Sequence, residues 1–289
     1  TTRYQTINAE KFDPMNITAA DVNKLRKQTG AGMMDCKKAL QEAEGDFEKA
    51  VEVLRLKGQK VAAKRSDREA GEGAILSGVN AAGDFGVLLA LNCETDFVAK
   101  NEGFVATAQT LLDLAINEGI TSKEDLLEKT YPGASITVAD KIIEETGKIG
   151  ERLDIGTFET VSAACVVSYI HPGNRLATLV GFSGVMPEAA GRDVAMQAAA
   201  MAPVALDEST IPQDLIEKEL QIGKDLAIQE GKPAEMADKI AQGRLKKWFK
   251  EATLVNQDYI KDNKQSVAAF INASAAGVTA TAFSRAALD

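Results

Sequence analysis

Residues 74–91, AILSGVNAAGDFGVLLAL, and residues 165–182, CVVSYIHPGNRLATLVGF, align without a gap, each position matched to the one 91 later. Ile75-Leu76-Ser77 falls on Val166-Val167-Ser168, Val79 on Ile170, and Leu88-Leu89 on Leu179-Val180. The breaks coincide too, Ala82-Gly83-Asp84 lying over Gly173-Asn174-Arg175. Apolar runs of strand length on either side of residues that tolerate positive φ describe a β-hairpin, so the chain carries two copies of one unit. A helical pattern follows each copy, roughly Asn101 to Asn117 and Ala190 to Ala202. The expected fold class is α+β, with a duplicated core in which each half packs helices on an antiparallel sheet.

Working outward, the halves span 74–150 and 151–289. Between the hairpins lie helical patterns at Lys123–Lys129 and Val138–Lys148, then a strand from Leu153 to Val161 that leads into the second hairpin. Residues 213–250 carry an inserted antiparallel helical hairpin. Leu215, Ile222 and Leu226 form one apolar stripe, and Met236, Ile240 and Leu245 the other. Gly231 suits the end of the first helix and Pro233 the first turn of the second. QSVAAFINASAAG then reads as a helix and VTATAFSRAAL as a closing strand, in a C-terminal module over 260–289.

Towards the N-terminus, residues 17–58 read as a three-helix module. Thr18 and Asp21 form a capping box, with Ile17 and Val22 as its hydrophobic staple. The first helix stops at Thr29-Gly30, and a second follows Asp35 with Cys36, Ala39, Leu40 and Ala43 on one face. Asp46 caps a third, whose Phe47, Ala50, Val51 and Leu54 repeat at helical spacing. A basic linker over 59–73 follows, with Lys60, Lys64, Arg65 and Arg68. It reads either as a solvated tether or as a docking strip for an acidic surface. Residues 1–16 lack periodicity and read as a flexible leader without the apolar core of a signal peptide.

Composition narrows the function classes. The chain has 289 residues and a formal net charge of −9, which argues against a broad nucleic-acid-binding surface. No apolar run reaches the ~18 residues of a membrane helix. Three cysteines, Cys36, Cys93 and Cys165, stand far apart and in no paired motif, as expected for reduced thiols in the cytoplasm. His171 is the single histidine, so a metal site or a nucleophilic pair would have to run through it. There is no Gly-x-x-x-x-Gly-Lys-Ser/Thr loop, and Gly30-Ala31-Gly32 lacks the third glycine of a dinucleotide fingerprint. Neither a cofactor nor a metal is expected. The expectation is a binding protein and not an enzyme.

The two copies also allow an internal comparison. After the first hairpin stands Thr95-Asp96-Phe97-Val98-Ala99-Lys100; after the second, SGVMPEAAGR has no counterpart of Phe97. The repeated unit does not need these residues, so Phe97 is open to two readings, a core aromatic or a wedge held out for another molecule. His171 takes the position of Asn80, at a turn, as a solvent-facing residue or a contact group. Met33-Met34, adjacent in a loop, cannot easily both point inward, and exposed methionines suit adaptable interfaces.

Two of these stretches, Thr29-Gly30-Ala31-Gly32-Met33-Met34-Asp35-Cys36-Lys37-Lys38-Ala39-Leu40 and Thr95-Asp96-Phe97-Val98-Ala99-Lys100, resemble the bacterial elongation factor Ts family, over about Met15 to Leu288. The resemblance implies a ubiquitin-associated-like helical module and guanine-nucleotide exchange on elongation factor Tu in translation elongation, in the cytoplasm. It implies that Asp96 and Phe97 intrude near the partner's Mg²⁺ and phosphate site. Arg26, Met33 and Met34 would contact the partner's nucleotide-binding domain, and His171 another domain. Two other classes remain: a ubiquitin-associated-type scaffold or adaptor, and a cysteine hydrolase drawing on His171.

Overall fold

The computed structural model describes residues 17–288. The leader expected at 1–16 lies outside them. Three helices come first, α1 (Ala19–Thr29), α2 (Met33–Glu42) and α3 (Phe47–Arg65). The first half of the core follows as β1 (Glu72–Val79), β2 (Phe85–Cys93), α4 (Asp96–Ala99), α5 (Glu102–Glu118), α6 (Lys123–Glu128), α7 (Val138–Ile149) and β3 (Asp154–Ser162). The second comprises β4 (Cys165–Ile170), β5 (Leu176–Phe182), α8 (Glu188–Met201), α9 (Gln213–Gln229), α10 (Ala234–Ala252), β6 (Asp258–Tyr259), β7 (Asp262–Ser266), α11 (Val267–Ser274) and β8 (Ala280–Ala287).

The duplication is exact in register. Ile75 faces Ala90 in the first hairpin, and 91 positions on, Val166 faces Gly181. Each hairpin acquires a third antiparallel strand against its second, giving the orders β1-β2-β3 and β4-β5-β8. Here too the copies agree: Phe158 lies opposite Leu89 and Phe283 opposite Val180, and the register slips at Ala90/Leu91 and at Gly181/Phe182. The halves exchange matching hydrogen bonds, Ile75 N–H to Asn174 O and Val166 N–H to Gly83 O, both 2.7 Å. Gly83 and Asn174 hold φ of 75° and 57°, the left-handed region in which Gly and Asn are least strained.

The two sheets pack face to face. Ile75, Leu88 and Ala90 meet Val166, Ala177 and Leu179 in a shared core. On the outer face of the first sheet, Leu76, Val87, Leu89 and Leu91 pack with Phe104, Leu111 and Leu112 of α5. On the outer face of the second, Val180 and Phe182 pack with Val194, Ala195 and Ala198 of α8. Both faces of each hairpin are thus covered, which is why the strands read as nearly continuous apolar runs.

Four expectations need correction. The basic linker expected at 59–73 begins as helix, since α3 runs unbroken to Arg65. Gly58 does not break it but lets α3 approach α7: a Cβ at Gly147 would lie 2.5 Å from the Gly58 Cα. Arg55–Asp140 at 2.7 Å ties the same two helices. The strand expected to lead into the second hairpin, β3, pairs with β2, so the first sheet continues past residue 150 to Ser162. The closing strand of the 260–289 module is the third strand of the second sheet. Lastly, the α9–α10 seam is built not on the larger aliphatics but on buried Gly223, Ala227, Ala237 and Ala241. Small residues bring the axes close and leave Ile222, Leu226 and Met236 exposed at the shoulders.

Candidate functional site

The stretch between β2 and α5 is a four-residue helix, α4, clamped from both sides. Thr95 caps it, its hydroxyl accepting from Val98 N–H at 3.5 Å. Val98 and Ala99 turn inward onto the first core cluster. Phe97 turns outward and is 84% exposed. Asp96 takes a hydrogen bond from Lys100 Nζ at 2.6 Å, which holds its carboxyl below the usual carboxylate range. Asn101 then caps α5, accepting from Gly103 N–H and Phe104 N–H, and Phe104 is buried. One helical repeat further along the chain, the same residue type has the opposite fate.

The clamp is carried by two glutamates. Glu151 Oε2 accepts from Glu94 N–H at 3.1 Å and Thr95 N–H at 3.0 Å, and Oε1 accepts from the Thr95 hydroxyl at 2.6 Å. Both carboxylate oxygens of Glu94 accept from Arg65 Nη1, at 2.7 and 2.8 Å, and Oε1 also accepts from Arg152 N–H at 2.7 Å. The Arg152 amide, then Arg65, holds the Glu94 carboxyl below the usual glutamate range. Arg65 is the last residue of α3, so the N-terminal module is tied directly to the base of the Phe97 helix.

That tie shapes a groove of about 530 Å³ between α1–α2 and the core. Arg26, Met33, Phe97 and Val98 line it, with Glu145 and Lys148 of α7 opposite. Residues read separately from the sequence thus come together across two parts of the molecule. Met33 and Met34 open α2, not a loop, and both are exposed, at 55% and 64%; Met34 does not line the groove. His171 stands apart at the tip of the second hairpin, exposed, with Nδ1 3.0 Å from the Tyr169 hydroxyl.

The thiols offer no matching chemistry. Cys93 is buried and donates to Thr95 O at 3.2 Å. Burial, and then the charge of Glu151, push its thiol up to about 12, so it is protonated at neutral pH. The polar partner of the His171 ring is Tyr169 and not a cysteine. Among the described residues, no group of three or more His, Cys, Asp or Glu side chains could hold a metal ion. Nor is any of their helices long and apolar enough to cross a membrane.

Sequence reasoning did not single out Glu94, Glu151 or Lys148, and it read Arg65 only as part of a basic tether or docking strip. Glu151 follows a helix end at Gly150 and lies far from Thr95 along the chain, so no periodicity could connect them. Glu94 adjoins the motif, and that adjacency was the one available signal.

Comparison with known proteins identifies the family. The family described as elongation factor TS matches residues 94–288. Elongation factor Ts of Flavobacterium psychrophilum is 56% identical over 274 residues, covering 94% of this chain and 98% of that protein. The protein of that name from Christiangramia forsetii is 55% identical with the same coverage. That from Porphyromonas gingivalis is 45% identical over 271 residues, again covering 94% and 98%. On sequence, fold and motif together, the chain belongs to the elongation factor Ts family.

Proposed function

We infer that this chain promotes GDP release from elongation factor Tu during translation elongation, and that Phe97 is its wedge. The observation that carries the reading is an aromatic 84% exposed on a helix held rigidly from two sides. Leaving a Phe in water forgoes about 1.5–3 kcal/mol of burial, which a partner can supply.

The chemistry required is non-covalent. A GTPase holds GDP through phosphate-loop amides and Mg²⁺, and a small displacement of either weakens charge-assisted contacts. A protein that binds the displaced, nucleotide-free form more tightly must weaken GDP by the same factor. Phe97 would enter between partner helices beside that site, with Asp96 and Lys100 setting the approach and Thr95, Val98 and Ala99 anchoring the base. Arg26, Met33 and Met34 would hold the nucleotide-binding domain along the groove. His171 would meet a second domain, so that the grip is divided between distant points. The reading assigns no cofactor to the chain and places it in the cytoplasm.

The likeness of residues 17–58 to a ubiquitin-associated module belongs to the same reading. As a free scaffold, however, that module would need an independent helical unit, whereas α3 lies along α7. The test is release of fluorescent GDP from elongation factor Tu with and without the chain. Release accelerated at substoichiometric amounts is expected; an unchanged rate would overturn the reading.

A further inference from the structure

We propose that Glu151 is a positioning residue for the Phe97 wedge, fixing the direction in which α4 leaves the sheet. The inference rests on the exchange reading above and adds to it a residue outside the recognition motif.

Phe97 is 84% exposed, so packing of its own ring does little to aim it. Its direction must therefore come from the backbone. A helix of four residues has no cooperative stability of its own. Two amides at its entry, those of Glu94 and Thr95, lie beyond the end of β2 at Cys93 and so have no ladder partner. Part-buried amides need acceptors, and one carboxylate serves both while also taking the Thr95 hydroxyl. Three donors converging on two oxygens define both the position and the rotation of Thr95, the residue that caps α4. Because Glu151 follows the Gly150 that ends α7, and α7 packs along α3, the aim of Phe97 is referred to the same helix that supports the N-terminal module.

Substitution separates aiming from folding. In Glu151→Ala all three bonds are lost. In Glu151→Gln the amide oxygen can accept both N–H groups while the amide nitrogen donates to Thr95 Oγ1, so the geometry survives without the charge. With elongation factor Tu preloaded with fluorescent GDP, Glu151→Ala should lower the maximal release rate about tenfold, with a smaller change in half-saturating concentration. Glu151→Gln should stay within about threefold of the parent chain. Adding Glu151→Ala to Phe97→Ala should cost little more, since both remove one function.

Fluorine-labelled Phe97 gives a readout independent of exchange. Its resonance in the free chain should be single in the parent and in Glu151→Gln, and displaced or broadened in Glu151→Ala. Two results would overturn the proposal: an unchanged resonance, or a Glu151→Ala loss that adds in full to that of Phe97→Ala. Failure of the exchange reading is recognised separately, by a parent chain that does not release GDP; the resonance then still decides whether Glu151 aims Phe97.

Discussion

The two hairpins run in step from Ala74↔Leu91 and Cys165↔Phe182 to their turns, and part company at their open ends. After β2 the chain makes a clamped four-residue helix before α5. After β5 it crosses a few residues and enters α8 directly, with Pro187 at its cap. The second connection has an exposed residue too, Val185, at the position equivalent to Glu94. It lacks the clamp, and no aromatic stands there. Exposure alone therefore does not mark the site. What distinguishes the first connection is exposure held rigid: an outward Phe on a base with two glutamates, two arginines and two inward aliphatic side chains.

The largest effect expected from this comparison is on stability. Phe104→Ala, in the first turn of α5, should destabilise the chain by about 3–5 kcal/mol because it empties a filled core position. Thermal or denaturant unfolding measures this, and a small loss would mean that α5 does not pin the first half of the core. Next comes the crossing of α3 on α7. Gly147→Val places a side chain where the Gly58 backbone lies and should destabilise by about 1–3 kcal/mol. Part of that loss should appear as increased proteolysis of α3 before the core unfolds.

Smaller effects sharpen the contrast between the hairpin tips. His171→Ala should change stability by less than about 0.5 kcal/mol, since the side chain is exposed at a turn. Affinity for elongation factor Tu should nevertheless fall about fivefold, measured by calorimetry. The smallest effect is in acid. The Glu94 carboxyl is held below the usual glutamate range, so its ties contribute stability above that range and lose it as pH falls through the folded value. Glu94→Gln should therefore be less stable than the parent at neutral pH, and the difference should shrink as pH falls below the usual glutamate range and vanish below the folded value. A difference independent of pH would show that Arg65 and the Arg152 amide do not favour the charged form.

Much of the fold was legible because its signals are local. Thr18, Asp46 and the turn residues at Gly83 and Asn174 act on their immediate neighbours, and these caps and turns stand where they were expected. What was not legible depends on contacts distant along the chain. Gly58, where the three-helix module was expected to end, lies inside α3 with Gly147 against it. Strand β3 has no pattern that names its partner, because pairing with β2 is decided by a sheet that closes across four helices. The α9–α10 stripes misled for a related reason: large aliphatics draw the eye, whereas the seam uses small residues. At the site, duplication made Phe97 conspicuous, but the Glu151 and Glu94 clamp joins segments that the sequence holds well apart.

The central claim is that Phe97 serves the partner and not the fold. Parallel measurement of melting and of GDP release from elongation factor Tu on Phe97→Ala tests it most directly. The account predicts an unchanged melting temperature and release slowed by at least about tenfold. A destabilised chain whose folded fraction still exchanges at the parent rate would contradict it.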